Sequence, residues 1–216
     1  MEIKLLYSDK DIAICIKPVG LDSEKDMPAQ LMEQLNIKEI FPVHRLDMAV
    51  GGLMVYALNK KSAAKLSEQV AQRQMKKEYL AIVQGRPEED RAVLRDLLYR
   101  DKAKNKSYVV KRKRAGVKDA ELEYERLESV KERSLVHITL HTGRSHQIRV
   151  QFSSRKMPLV GDVKYGSTYK DCPIALWSYA LSFNHPASNE PLHFEQLPPM
   201  ENFWKEFEHI SKGEQQ

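Results

Sequence analysis

Two adjacent glycines, Gly51 and Gly52, open the apolar run Leu53-Met54-Val55-Tyr56-Ala57-Leu58. An apolar run of this length after a Gly-Gly turn predicts a buried strand, which needs partner strands and a layer to pack against. Just upstream stands Val43-His44-Arg45-Leu46-Asp47-Met48-Ala49-Val50. Asp47 therefore lies at the mouth of an apolar strand, behind the cationic pair His44-Arg45. A partly desolvated carboxylate needs a cation or hydrogen-bond donors nearby to stay ionised. Such a setting suits a nucleophile. The bland alternative is a loop in which Arg45 and Asp47 form a local ion pair.

A second segment bears on that choice. In Ser134-Leu135-Val136-His137-Ile138-Thr139-Leu140 the apolar Val136, Ile138 and Leu140 share one face, as in a strand. Gly143 permits a sharp turn, and Ser145 is positioned to cap a helix over 146–155. Arg144 and Arg149 add fixed positive charge to the free N–H groups of that helix start. The junction reads as a site for an anion, either a phosphate or a carboxylate. The alternative is that both arginines are merely solvated.

The rest of the chain supplies strands with irregularly spaced helices. Strands are predicted over 12–16, 79–85, 120–127, 175–183 and 192–195, and helices over 29–35 and 62–74, the latter with Ser62 as cap. A closing helix is predicted to start at Asn202, its aromatic residues serving as core anchors. This pattern lacks strict strand-helix alternation and implies an α+β fold with a mixed, mainly antiparallel sheet. At 216 residues, 42% hydrophobic and 30% charged, the chain fits a globular protein with a sizeable core. The two cysteines, Cys15 and Cys172, form no metal-type or redox-type pair, which points to reduced thiols in a cytoplasmic protein. Neither a signal-peptide core nor a run of membrane-spanning length is present, so no membrane partner is expected. The net charge of +5 favours an acidic partner only weakly.

The densest basic stretch is 100–114, which contains Lys111, Arg112, Lys113 and Arg114. Most such runs are solvated loops. The functional reading is an arm between two strands that contacts nucleic-acid phosphates, with Tyr108 able to stack on an unpaired base or simply to pack.

Five segments in order resemble the RluA-type pseudouridine synthases. They are Lys17-Pro18-Val19-Gly20, His44-Arg45-Leu46-Asp47, Lys76-Lys77-Glu78-Tyr79-Leu80-Ala81, Gly143-Arg144-Ser145-His146-Gln147-Ile148-Arg149 and Pro158-Leu159-Val160-Gly161-Asp162-Val163-Lys164-Tyr165-Gly166. Met157 stands where the family commonly has His. After His-Arg-Leu-Asp the family usually has x-x-Thr-Ser-Gly, whereas here Val50-Gly51-Gly52 follows, removing two hydroxyls and loosening the loop backbone. The resemblance implies a single synthase domain over 1–216, with a long bent sheet, flanking helices and a central cleft. It begins almost at Met1, so the N-terminal S4 RNA-binding domain of larger members is expected to be absent.

The resemblance further implies isomerisation of specific uridines in ribosomal or transfer RNA by a monomer. The base is flipped into a pocket, because it cannot be rearranged inside a helix. Asp47 is expected to initiate glycosidic cleavage, Arg149 to pair with Asp47, and Tyr79 to pack on the uracil and help remove the carbon-5 proton. His44, Arg45, Arg144, Lys111, Arg112, Lys113 and Arg114 are the expected RNA contacts. The reaction is redox-neutral and calls for no metal or other cofactor. Two alternatives stand: a metal site built from His44, Asp47, His141 and His146, and an RNA-binding or RNA-folding factor that has lost catalysis.

Overall fold

The computed structural model describes residues 2–213. Its strands are β1 (Leu5–Ser8), β2 (Ile12–Lys17), β3 (Phe41–Pro42), β4 (Gly51–Ala57), β5 (Lys76–Gln84), β6 (Arg91–Asp101), β7 (Lys106–Val110), β8 (Val117–Val130), β9 (Arg133–Leu140), β10 (Leu176–Asn184) and β11 (Pro191–Glu195). The helices are α1 (Asp26–Leu35), α2 (Lys60–Ala71), α3 (Gln147–Ser153) and α4 (Glu208–Gly213). This is the α+β architecture expected, with mainly antiparallel pairing.

The chain divides into two compact units. The first comprises 1–77 and 178–196, the second 78–177 and 197–216. In the first, the strand order is β1-β2-β4-β10, with β3 added to β4 and β11 to β10. Every residue of β4 is buried, as its apolar run requires. Ile12, Ile14, Leu53, Val55, Ala57, Leu181 and Phe183 pack with Leu66 of α2 to form the core there. Gly52 has φ +118, and a Cβ on it would lie 2.3 Å from the Ser178 carbonyl oxygen. Only glycine lets the two backbones approach this closely.

In the second unit, β5-β9-β8-β6-β7 form consecutive neighbours. α3 rests on them through Val150, which packs with Leu98, Ala120 and Tyr165. Gln151 of α3 donates to the Leu94 carbonyl at 3.1 Å and to Asp96 at 2.7 Å, which fixes the helix over β6.

Several local expectations are corrected. Ser62 does not cap α2. Asn59 does, accepting the Ser62 N–H at 2.9 Å, while the Ser62 hydroxyl donates to Asp11. Ser145 does not cap α3 either: the capping position is His146, in left-handed backbone at φ 54, and its side chain makes no capping bond. The Ser145 carbonyl instead accepts the Ser107 hydroxyl at 2.6 Å. The stretch 100–114 is not one arm between strands. It holds the end of β6, all of β7 and the loop into β8. At the chain's end, a 3-10 turn over Trp204–Glu206 precedes α4 where one continuous helix was expected. Trp204 and Phe207 are buried, as core anchors should be.

Candidate active site

Asp47 sits in a tight turn that delivers the chain into β4: its carbonyl accepts the Val50 N–H at 2.9 Å. The backbone on both sides is pinned. Before it, Leu46 is bracketed by Ser23, whose hydroxyl donates to the Leu46 carbonyl at 2.9 Å and accepts the Leu46 N–H at 3.2 Å. Ser23 is itself held by the Tyr56 hydroxyl, which donates to its carbonyl at 2.7 Å. After it, the Met48 carbonyl accepts the Gly20 N–H at 2.8 Å and lies 3.4 Å from the Lys17 ammonium. The loosening expected from Val50-Gly51 is therefore not what the turn displays. Val50 is buried and Gly51 is already part of β4.

Lys17 is the residue that sequence reasoning left without a role. Its side chain is fully buried, and its ammonium donates to the carbonyls of Pro18 at 2.8 Å and Leu21 at 2.9 Å. Burial pushes it down to about 8, against the pull of Asp22, Asp47 and Asp26. At neutral pH it is still a cation and acts electrostatically on Asp47. The Lys-Pro-x-Gly resemblance marked the position, but burial cannot be read from a lysine in sequence.

His44 is placed as part of the scaffold. Its Nε2 accepts the Val55 N–H of β4 at 3.2 Å. Burial, with the nearby Lys77 charge, pushes its imidazole down to about 3, so the ring is neutral. Any contact His44 makes with RNA is therefore that of a neutral ring, not of a cation. Arg45 is half exposed and pairs with Glu24 at 3.0 Å, a contact of the kind that exchanges readily with water or phosphate.

In the second unit, Tyr79 lies on β5 opposite Ile138 of β9 and is 5% exposed. Arg149 projects from α3 and grips Asp162 with both arms of a fork, Nε to Oδ2 at 2.6 Å and a terminal nitrogen to Oδ1 at 2.8 Å. Both side chains are almost fully buried, 7% and 0% exposed. The anion that the strand-turn-helix junction called for is, at least in part, this carboxylate of the protein itself. The ring of Tyr165 lies 5.1 Å from the Arg149 guanidinium carbon. Asp162 and Tyr165 were visible only as letters in the Gly161–Gly166 segment, and no spacing rule links them to Arg149. Gly161 makes the turn into that segment, with φ +80 and the Pro173 carbonyl where a Cβ would sit.

Four consecutive cationic residues follow β7 in the loop to β8. Lys111, Arg112, Lys113 and Arg114 are exposed. Lys113 pairs with Asp119 at 3.0 Å, and Arg144 donates from Nε to the Asp119 carbonyl at 2.9 Å. Arg114 stacks over Tyr99 at 5.0 Å, and Lys106 lies 5.8 Å from the ring of the exposed Tyr108.

Among the described residues, three ligand-type side chains come within 4.8 Å of one another at Asp9, Asp11 and His185. None belongs to the four-residue metal site considered from sequence. His185 Nδ1 accepts the N–H groups of Ala187 and Ser188, so its Nε2 carries the proton and faces Asp9 at 2.9 Å. That tautomer makes a hydrogen-bond knot and leaves the ring no lone pair for a cation.

Residues 11–154 match the family model described as RNA pseudouridylate synthase. The chain is 30% identical over 226 residues to the tRNA pseudouridine synthase C of Haemophilus ducreyi, covering 91% of this chain and 91% of that protein. It is 31% identical to the ribosomal large subunit pseudouridine synthase D of Nitrosomonas europaea, covering 91% of this chain and 62% of that one. Human RNA pseudouridylate synthase domain containing 1 has the same fold, with a TM-score of 0.79 at 22% identity over 93% of this chain and 85% of the other.

Proposed function

The chain belongs to the RNA pseudouridylate synthase family, whose members are isomerases, and from that premise we propose that it converts specific uridines of ribosomal or transfer RNA to pseudouridine. The observation that carries this reading is the Asp47 turn. It stands in the matched segment, its neighbours on both sides are fixed by Ser23, Gly20 and Lys17, and a buried cation acts on it. Pinned backbone of this kind suits a group that must meet its target within a fraction of an ångström.

The target uridine leaves the helical stack so that its base can turn. The bond from uracil N1 to the ribose breaks, the base rotates, and a bond forms from carbon 5 to the same ribose carbon. The carbon-5 proton then departs and N1 gains one, so atoms and electrons balance without an oxidant or cofactor. Asp47 initiates the cleavage as nucleophile. Arg149, its orientation set by Asp162, supports the reacting carboxylate, and Tyr79 packs on the uracil and assists loss of the carbon-5 proton. Arg45, Arg144, Lys111, Arg112, Lys113 and Arg114 supply phosphate contacts. His44 contributes a neutral ring to the turn. The reading treats 1–216 as one catalytic domain acting as a cytoplasmic monomer. None of the described helices is long and apolar enough to cross a membrane.

The test is to incubate the protein with ribosomal and transfer RNA carrying tritium at uridine carbon 5. Tritium should appear in water in step with pseudouridine in the RNA. RNA that is bound without any tritium release across both classes would favour a binding factor and overturn the reading.

A further inference from the structure

Arg149 is held along its edge by Asp162, but an edge alone leaves the guanidinium plane able to rock. The guanidinium also lies over the ring of Tyr165, its carbon 5.1 Å from the ring centre. Tyr165 follows Asp162 by one 3-10 turn, Val163–Tyr165, so one short segment supplies both contacts. The ring is itself anchored at its far end. Its hydroxyl accepts the Ser107 N–H of β7 at 2.8 Å and shares a hydrogen bond with His146 Nδ1 at 2.9 Å. The Lys106 ammonium, 5.1 Å from the same ring, donates to the Lys164 carbonyl at 2.7 Å, and Lys164 donates back to the Asn105 carbonyl at 3.1 Å. β7 and the Asp162–Tyr165 turn are thus tied by two hydrogen bonds, and a third joins the turn to Asn105 just before β7.

We infer that Tyr165 is a positioning residue: its ring steadies the Arg149 guanidinium against Asp162, and its hydroxyl joins that contact to β7. This rests on the reading of Arg149 as part of the synthase site. Tyr165 is 6% exposed and packs with Leu98, Ala120 and Val150, so it acts through Arg149 and not by touching RNA. Burial keeps the hydroxyl protonated and raises it above its ordinary range, which suits a permanent hydrogen-bonding joint rather than a proton carrier.

Two variants separate the ring from the hydroxyl. Tyr165→Phe keeps the ring contact and cuts the ties to Ser107 and His146, whereas Tyr165→Leu loses both. With saturating transfer or ribosomal RNA, kcat should fall about 10-fold in the first and about 100-fold in the second, since small displacements of a supporting group cost rates of that order. KM for RNA should stay within about twofold of the parent, because every phosphate-binding side chain is still in place. In an Arg149→Lys background the difference between Tyr165, Phe and Leu should vanish, because the residue through which they act has gone. Circular dichroism confirms folding, and if the Leu variant fails to fold, the Phe variant in the two backgrounds decides alone. Unchanged kcat in the Phe variant with a lowered melting temperature would reduce Tyr165 to packing. A raised KM with normal kcat would instead make it an RNA contact, and equal losses in both backgrounds would mean it does not act through Arg149. Failure of the parent protein to form pseudouridine would reject the underlying function, which is a different outcome from any of these.

Discussion

Arg149 answers two demands at once, and Asp162 is the reason. A guanidinium buried in apolar surroundings must be compensated, and Asp162 does this with both oxygens. In the sequence Arg149 stands out as a charge for the site, with nothing to mark it as a part of the fold's stability. Its partner lies thirteen residues away across a turn, and no periodicity connects the two. Asp162→Ala, which leaves the charge buried and unpaired, should destabilise the protein by about 3–5 kcal/mol in urea titrations. Unchanged stability would mean water or another acid replaces it. Arg149→Lys keeps the charge but not the fork, so it should lower both turnover and stability. His44 illustrates the same blindness. In sequence it is a cation beside an arginine, yet in the fold its ring is neutral because burial and Lys77 push it down to about 3. The unfolded chain takes up a proton below about 6.5 and the folded chain does not, so this residue lowers stability as pH falls from about 6.5 toward about 3. A His44→Gln variant should show a flatter loss of stability between about pH 7 and about pH 5. An identical slope would place the titrating group elsewhere.

At the scale of elements, the strands were legible and their ends were not. The apolar run of β4 and the alternation of β8 and β9 follow from burial on one or both faces, which is a property of consecutive residues. Caps depend on which of two neighbouring polar residues finds a better partner elsewhere. Ser62 was drawn off by Asp11, leaving Asn59 to cap α2, and the turn before α3 closed through His146 in left-handed backbone. β7 was hidden in a run of lysines, since Tyr108 is exposed, Lys106 is only partly covered, and Ser107 on the other face is buried. The loop after it carries a prediction. Replacing Lys111, Arg112, Lys113 and Arg114 by Gln should weaken RNA binding and flatten its dependence on salt by a slope of roughly 0.7–0.9 for each phosphate no longer neutralised. Affinity measured from low to high salt decides this. Parallel lines of equal affinity would mean these residues are only solvated and that docking centres on Arg45, Arg144 and Lys164. The single-turnover rate on saturating RNA should change little.

At the scale of the whole molecule, five short segments spread along the chain were enough to indicate the family, and the match over residues 11–154 agrees. The division into two compact units was not legible, because the first unit is closed by 178–196, far from its other residues in sequence. Asp47 belongs to one unit, Tyr79 and Arg149 to the other. The target RNA was not legible either, since the relatives named for transfer RNA and for the ribosomal large subunit are about equally similar. The central claim is that Asp47 starts the isomerisation and does not merely hold the loop. Asp47→Asn preserves shape and removes charge, while Ser23, Gly20 and Lys17 still pin the backbone on either side. The decisive measurement is tritium release from carbon-5-labelled RNA by this variant, with RNA affinity measured in parallel. The account predicts affinity within a few-fold of the parent and no detectable release. Release at near-parental rate would contradict it.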